Sequence, residues 1–265
     1  VRHCRSGTAV RAQPLKKCAT KRIIRLKHRS FMKAKYKRIL LKISGEALSG
    51  ASGRGFDSES LKSVAAQIRK VTELGVEVGV VVGGGNIWRG RQGLDMDRVT
   101  ADQMGMLATV INALAVSEAL ISAGAEAKVM TSISIAGIGE RFNHKLADEY
   151  LKDGKVVVFG GGTGNPFFST DTGASLKAAE IGADALLLAK NIDGIYDSDP
   201  KTNPNAVKYD KLTYDEYVSK GLRAMDTSAV VMCKENGLKV HAFGLSDENS
   251  IVKAVAGDKE GTVIY

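Results

Sequence analysis

Continuously apolar stretches alternate with stretches of helical periodicity along this chain. Residues 37–43 are a short, branched apolar run typical of a buried strand, and the following 44–55 hold four glycines and no proline. From Asp57 the apolar positions Leu61, Val64, Ala65 and Ile68 recur at helical spacing, and Gly75 ends that helix. The same alternation predicts strands at 76–82, 127–130, 155–159, 185–189 and 239–243. Helices are predicted at about 100–123, closed by Gly124, and at 142–151, 171–181, 214–220 and 228–236, with a last helix and strand running to Tyr265. Strands apolar at every position are covered on both faces. The predicted fold class is therefore α/β, a mainly parallel central sheet sandwiched by helices in three layers.

Ligands of such sheets sit beyond the carboxyl ends of the strands. Four loops leave those ends, at 44–55, 83–98, 160–170 and 190–201, and each is rich in glycine or turn residues. The third carries Gly161-Gly162-Thr163-Gly164-Asn165-Pro166-Phe167-Phe168-Ser169-Thr170, which offers backbone amides and hydroxyls to a phosphorylated ligand. It contains no Lys, so it is not a P-loop, and the cations for phosphate chemistry must come from other loops.

Composition narrows the classes. The 265 residues are 44% hydrophobic and 25% charged, ordinary for a globular enzyme, and no apolar run was expected to reach the roughly 18 residues of a membrane span. Cys4, Cys18 and Cys233 are too scattered for a disulfide framework or zinc site, and His3, His28, His144 and His241 lack metal spacing. A reducing, cytoplasmic setting is expected. The net charge of +9 is concentrated in residues 1–31, which hold ten Lys or Arg and no acid, leaving the remainder at −1. That body has no nucleic-acid footprint. The basic arm is expected to lie outside the fold: an over-long reading ahead of Met32 is favoured over a transit peptide, which would imply an organelle stroma, and over a nucleic-acid arm. Residues 32–265 are expected to form a single domain.

Several residues carry candidate chemistry. Lys42 ends the first strand just before Ser44-Gly45, where an ammonium projects toward the cleft unless it simply reaches solvent. Arg89 and Arg91 follow the Gly83-Gly84-Gly85 turn and offer planar, multi-donor recognition of phosphate oxygens. No G-x-G-x-x-G, nucleophile elbow or Cys-His signature is present. Asp171 is read as the N-cap of its helix, with a second possible role in ordering lysines or a magnesium shell. Asp102 lies in the first turn of the long helix, where a simple dipole partner is the alternative.

Five blocks then occur in order: Lys-Ile-Ser-Gly-Glu-Ala-Leu at 42–48, Gly-Gly-Gly-Asn-Ile-Trp-Arg-Gly at 83–90, Ala-Asp-Gln-Met-Gly-Met-Leu-Ala-Thr at 101–109, Gly-Thr-Gly-Asn-Pro-Phe-Phe-Ser-Thr-Asp at 162–171, and Asp-Gly-Ile-Tyr-Asp-Ser-Asp-Pro at 193–200. With them, residues 36–265 resemble the bacterial-type uridylate (UMP) kinases of the amino acid kinase family. The resemblance implies that Lys42, Ile43, Ser44, Gly45, Gly85, Arg89, Tyr196 and Asp199 hold ATP. It implies that Gly84, Asp102, Thr163, Gly164, Asn165, Pro166, Phe167, Phe168, Ser169 and Thr170 hold UMP, with both Asp102 oxygens on the ribose hydroxyls. Gly50, Ala51, Ser52, Gly53, Arg54 and Gly55 resemble a loop linked to activation by GTP; UTP is a further possible effector, and the family assembly is usually a hexamer. Lys190 departs from the Thr or Asn that relatives often carry near the adenine, so it and Asn191 are left without a role.

A nucleotide monophosphate has a second pKa near 6, so the acceptor is mostly dianionic at neutral pH and needs no general base. Catalysis is then expected to be in-line placement and charge neutralisation by Lys42, Arg89 and Mg²⁺ brought with ATP, with Asp171 as the third catalytic residue and no direct protein ligand assigned to the metal. The alternatives are a carboxylate kinase of the same fold, acting on an amino acid, and a nucleotide-sensing regulator without turnover.

Overall fold

The side chains of the first strand point alternately to two sides, and each side has its own core. In the computed structural model, which describes residues 33–89, 95–245, 247–258 and 260–265, strand β1 spans Arg38–Ile43. Ile39, Leu41 and Ile43 enter one apolar cluster, and Leu40 enters the other. The basic arm, the proposed start at Met32, and Gly90 and Arg91 lie outside the described residues.

The chain continues through α1 (Ser58–Glu73), β2 (Glu77–Val82), α2 (Arg98–Ser122), β3 (Ala127–Thr131), β4 (Glu140–Arg141), α3 (His144–Lys152), β5 (Val156–Gly160), α4 (Thr170–Glu180) and β6 (Ala185–Lys190). It ends with β7 (Ile195–Tyr196), β8 (Lys208–Tyr209), β9 (Lys211–Leu212), α5 (Tyr214–Ser219), α6 (Thr227–Glu235), β10 (Lys239–Gly244), α7 (Ser250–Ala256) and β11 (Thr262–Ile264). The main sheet runs β4-β3-β5-β2-β1-β6-β10-β11-β9, and only the β10–β11 pairing is antiparallel. A separate antiparallel pair joins β7 to β8.

One cluster packs β1, β2 and β5 against α1, α2 and α7 through Val64, Ile68, Val116, Leu120, Ile251 and Val255. The other packs them against α3, α4 and α6 through Ala147, Leu151, Ala174, Ala178 and Val230. Each fully buried Leu, Ile or Val contributes about 1.5–3 kcal/mol, which is why the strands are apolar on both sides. Because β2 and β6 flank β1 in parallel, the chain reverses its direction of travel across the sheet at β1, and the loops at that end part to leave a crevice. Gly160 closes the geometry: a Cβ there would lie 3.0 Å from Val110 Cα, so its absence lets α2 lie against the end of β5.

Three expectations change. The α4 helix starts at Thr170, and its N-cap is Ser169, whose hydroxyl accepts from the N–H groups of Asp171 and Thr172. Asp171 is therefore not the cap. The α3 helix starts at His144 because Asn143 caps it, leaving Phe142 to pack edge-on against Phe159. Finally, α2 is 25 residues long with mean hydropathy 1.7 over an 18-residue window, long and apolar enough by itself to cross a membrane, contrary to the sequence reading. In the fold it packs against β5, β3 and α1.

Candidate active site

Lys42 shares the Leu40 side of β1 and meets Asp171 of α4, its Nζ 2.8 Å from Oδ1. Both side chains are largely shielded, 12% and 18% exposed, so the ion pair lies inside the crevice. With Ser169 as the cap, the Asp171 carboxylate is free to turn toward the lysine. Lys42 pairs with Leu188 in the register of β1 and β6, so Lys190, two residues further along β6, projects to the same side. The Lys190 ammonium donates to the carbonyl of Ala224. Burial pushes it below the usual lysine range; the charge of Asp171 acts against that shift and Lys42 adds to it.

The loops after β1 and β2 pack tightly together. A Cβ on Gly45 would lie 2.3 Å from Asn86 Oδ1 and 2.5 Å from Gly83 O, so only glycine fits. Gly85 differs: a Cβ there would meet nothing within 4 Å, and its backbone is not in the left-handed region. Ser44 Oγ is buried without a hydrogen-bond partner among the described residues. A hydroxyl free to bond and a glycine with open space before it suit close approach by phosphate oxygens. Arg89 reaches this loop edge but pairs with Glu46, and its Nε donates to Gly85 O at 3.0 Å. Glu46, given no role from sequence, also accepts from Asn191 Nδ2 at 3.4 Å. The stretch from Gly50 to Gly55 is anchored at its end, where Gly55 N–H donates to Asn86 O at 2.9 Å and Asn86 Nδ2 to Gly55 O at 2.8 Å. Ser52 Oγ donates to Ser49 O at 2.7 Å.

A cavity of about 650 Å³ opens beside these loops. Gly84, Asp102, Thr163, Asn165, Phe167, Phe168, Ser169 and Thr170 line it, as does Gly85; Gly164 and Pro166 do not. Gly164 instead takes a φ of 83° and turns against Ser132. Thr109 Oγ1 accepts from Gly161 N–H at 2.8 Å and Ser132 Oγ donates to Gly162 O at 2.7 Å, which fixes the loop to α2 and to the end of β3. Asp102 Oδ2 accepts the Phe167 N–H at 2.7 Å, so one oxygen already serves the protein, where the sequence reading gave both to a ribose. Arg98 lies 3.8 Å from the same oxygen and stacks 4.9 Å over the Phe167 ring. Phe167 is the one non-glycine residue at positive φ, 72°, among the described residues, a strained conformation of the kind held at ligand sites.

The sequence reading missed Trp88, Arg98, Met106, Thr109 and the distant Asp226, Thr227 and Ser228, all of which line this cavity. Arg98 was discoverable from its i,i+4 spacing to Asp102. Asp226 caps α6, accepting from Ala229 N–H at 3.0 Å, from Thr172 Oγ1 at 2.9 Å and from Ser169 Oγ. Burial raises its pKa, but the bonds from Ser169, Ala229 and Thr172 together hold it below the usual carboxylate value.

Tyr196 and Asp199 line a different cavity of about 480 Å³, formed with residues 220–224. Tyr196 Oη donates to Asp193 Oδ1 at 2.7 Å, and Asp199 Oδ1 accepts from Lys201 N–H at 2.9 Å. The segment 222–228 borders both cavities. Among the described residues no group of three His, Cys, Asp or Glu side chains is placed to hold a metal. Asp171, beside Lys42, is a carboxylate of the kind that would join a magnesium shell.

A shielded Lys–Asp pair at the strand carboxyl ends, with one cavity lined by Thr170 and Thr172 on either side of Asp171 and a second at Tyr196 and Asp199, defines a phosphate-handling enzyme cleft. The model of the amino acid kinase family matches residues 37–244. A uridylate kinase of Parabacteroides distasonis is 50% identical over 234 residues, covering 88% of this chain and 99% of the relative. Among solved structures, the UMP kinase of Bacillus anthracis matches at 39% identity and TM-score 0.83, covering 86% of this chain and 96% of that one. The UMP kinase of Ureaplasma parvum matches at 37% identity and TM-score 0.81, covering 86% and 98%, and the uridylate kinase of Archaeoglobus fulgidus at 30% and 0.65, covering 86% and 99%. The chain belongs to the amino acid kinase family, in its uridylate kinase branch.

Proposed function

We propose that this enzyme transfers the γ-phosphoryl group of ATP to UMP, giving UDP and ADP, in supply of pyrimidine nucleotides. The observation that carries the reading is the shielded Lys42–Asp171 pair at the crevice, with a phosphate-ready loop on either side. UMP occupies the cavity bordered by Asp102 and the 163–170 loop, and ATP lies over Ile43 to Gly45 and Gly85 toward Tyr196 and Asp199. A phosphate oxygen of UMP attacks the γ-phosphorus, and the bond to the bridging oxygen of ADP breaks. UMP needs no base because its phosphate is already mostly dianionic at neutral pH. Lys42 neutralises the transferring group, Asp171 holds Lys42 in position, and Arg89, on leaving Glu46, supplies a second cation. Mg²⁺ brought with ATP would offset phosphate charge there, with Asp171 the carboxylate near it.

The proposal extends to one catalytic domain over residues 32–265, a cytoplasmic setting in keeping with the buried free thiol of Cys233, GTP as an effector through the Gly50 to Gly55 loop, and UTP as a further effector. It also extends to a homohexamer, supported by Leu107, Ile111, Leu114 and Ile121, each at least 40% exposed along one face of α2. The test is a phosphate-transfer assay with ATP, Mg²⁺ and UMP, CMP, acetylglutamate or aspartate side by side. UDP formation far above the other products is expected; turnover only with a carboxylate acceptor, or with none, would overturn the reading.

A further inference from the structure

Arg98, the first residue of α2, lines the 650 Å³ cavity and leaves its hydrogen-bond donors unused. A guanidinium carries five N–H donors in a planar fork. Among the described residues this one has two contacts. Its Nε lies 3.8 Å from Asp102 Oδ2, an ion pair too long for a hydrogen bond, and its Cζ lies 4.9 Å from the centroid of the Phe167 ring. Neither contact does much for stability, because the Arg98 side chain and Phe167 are each 58% exposed. What the two contacts do is fix the position of the guanidinium. The ring beneath it is itself held in place: Phe167 keeps a strained φ of 72°, and its N–H donates to Asp102 Oδ2 at 2.7 Å. An arginine steadied on both sides at a cavity wall, with its donors free, is suited to reading acceptor atoms of a ligand.

Exposure orders the side chains from the shielded end of the cleft to its open end. Lys42 and Asp171 are 12% and 18% exposed, Asp102 is 32% exposed, and Arg98 is 58% exposed. A nucleotide whose phosphate lies beside Lys42 and whose ribose lies at Asp102 therefore has its base at the open end, with Arg98. We propose that Arg98 is the specificity-determining residue of the acceptor site, its N–H groups donating to the O4 carbonyl of uracil. This rests on the ATP-to-UMP reading above. Cytosine carries an amino group where uracil carries O4, so the same guanidinium would meet it donor to donor, and a cation with no acceptor atom cannot adapt. The O2 carbonyl is common to both bases and gives no discrimination. It also lies next to the bond to the ribose, whereas O4 lies on the distal edge that the open end faces. The guanidinium stays charged at any working pH, so the preference needs no titrating group.

The test compares Arg98→Met, which keeps an apolar stem against Phe167 and removes every side-chain donor, with Arg98→Lys, which keeps a charged donor. Both are made in the full chain and measured beside the parent for kcat and KM with UMP and with CMP, at fixed ATP and Mg²⁺, and for thermal unfolding. The parent is expected to favour UMP over CMP in kcat/KM by about 100-fold or more, as a site that hydrogen-bonds one base does against the other. Arg98→Met is expected to lower kcat/KM for UMP about 10-fold or more, chiefly through KM, while CMP stays at or above its parental value. The preference for UMP then shrinks by the same factor, and Arg98→Lys falls between. A parental UMP-to-CMP ratio in Arg98→Met would overturn the inference while leaving the UMP kinase reading intact. That holds whether neither substrate is affected or both fall together, as loss of a merely structural contact to Phe167 and Asp102 would give. Equal use of UMP and CMP by the parent would overturn it as well. Should Arg98→Met not fold, Arg98→Lys decides: a reduced ratio at the parental unfolding temperature supports the role, and a parental ratio contradicts it. A parent that makes no UDP overturns both readings together.

Discussion

Asn86 and Asn112 hydrogen-bond each other through both side-chain amides, at 2.7 and 3.1 Å, in the buried space between the β2 loop and α2. Asn112 Nδ2 also reaches Gly83 O at 2.6 Å, and Asn86 Nδ2 reaches Gly55 O. The pair therefore clasps three segments: the end of the first glycine-rich loop, the turn at Gly83 to Gly85, and the long helix. Truncating Asn112 to Ala strands Asn86 Oδ1 and the Gly83 carbonyl, at a cost of about 1–3 kcal/mol. Chemical denaturation of Asn112→Ala should show that loss, together with a raised KM for ATP; unchanged stability would show that the clasp is dispensable.

Gly85 has room for a methyl group in the protein itself, unlike Gly45. Gly85→Ala is expected to keep the parental unfolding temperature and to impair nucleotide binding, because the added carbon occupies space the ligand uses. Gly45→Ala should instead lower stability, since its Cβ would collide with Asn86 and with the backbone of Gly83. Unfolding temperature and KM measured on both variants check the distinction.

Asp226 sets an acid dependence. Its pKa in the folded protein lies below the ordinary 3.8, so its contribution to stability is complete above that value and is lost as pH falls through the lower, folded-state pKa. Asp226→Asn keeps a capping oxygen for α6 but removes the charge. The unfolding temperature of the variant should lie below that of the parent at neutral pH, and the gap should narrow as the solution is taken below pH 3.8. A gap constant down to strongly acid solution would exclude the ionised carboxylate as its source.

The exposed apolar face of α2 bears on assembly. Light scattering of the parent should give a mass several times the 28.2 kDa of one chain, and Leu107→Glu with Ile111→Glu should reduce it. A monomeric parent would leave that face without a partner copy.

The sheet and its crevice were legible because the centres of β1, β2, β5 and β6 are runs of apolar residues and their loops carry glycines whose need is local. The edge strands β4, β7, β8 and β9 were not, since two residues carry no period. Ser169, Thr170 and Asp171 are three potential caps in a row. Tertiary partners decide among them: Asp226 takes the Ser169 hydroxyl and Lys42 takes the Asp171 carboxylate. The same holds for Asp226 itself, 57 positions from Ser169, and for Lys190, whose burial depends on a segment more than thirty residues away. Asp102 was found, but the share of its carboxylate held by the Phe167 N–H was visible only in the folded loop.

The central claim is that transfer depends on Lys42 as the cation held by Asp171 at the junction of two nucleotide sites. Steady-state kinetics of Lys42→Ala with ATP, Mg²⁺ and UMP test it most directly. The account predicts a fall in kcat of about 100-fold or more with little change in KM for UMP. Turnover near the parental value, or a loss expressed wholly as a raised UMP KM, would contradict it.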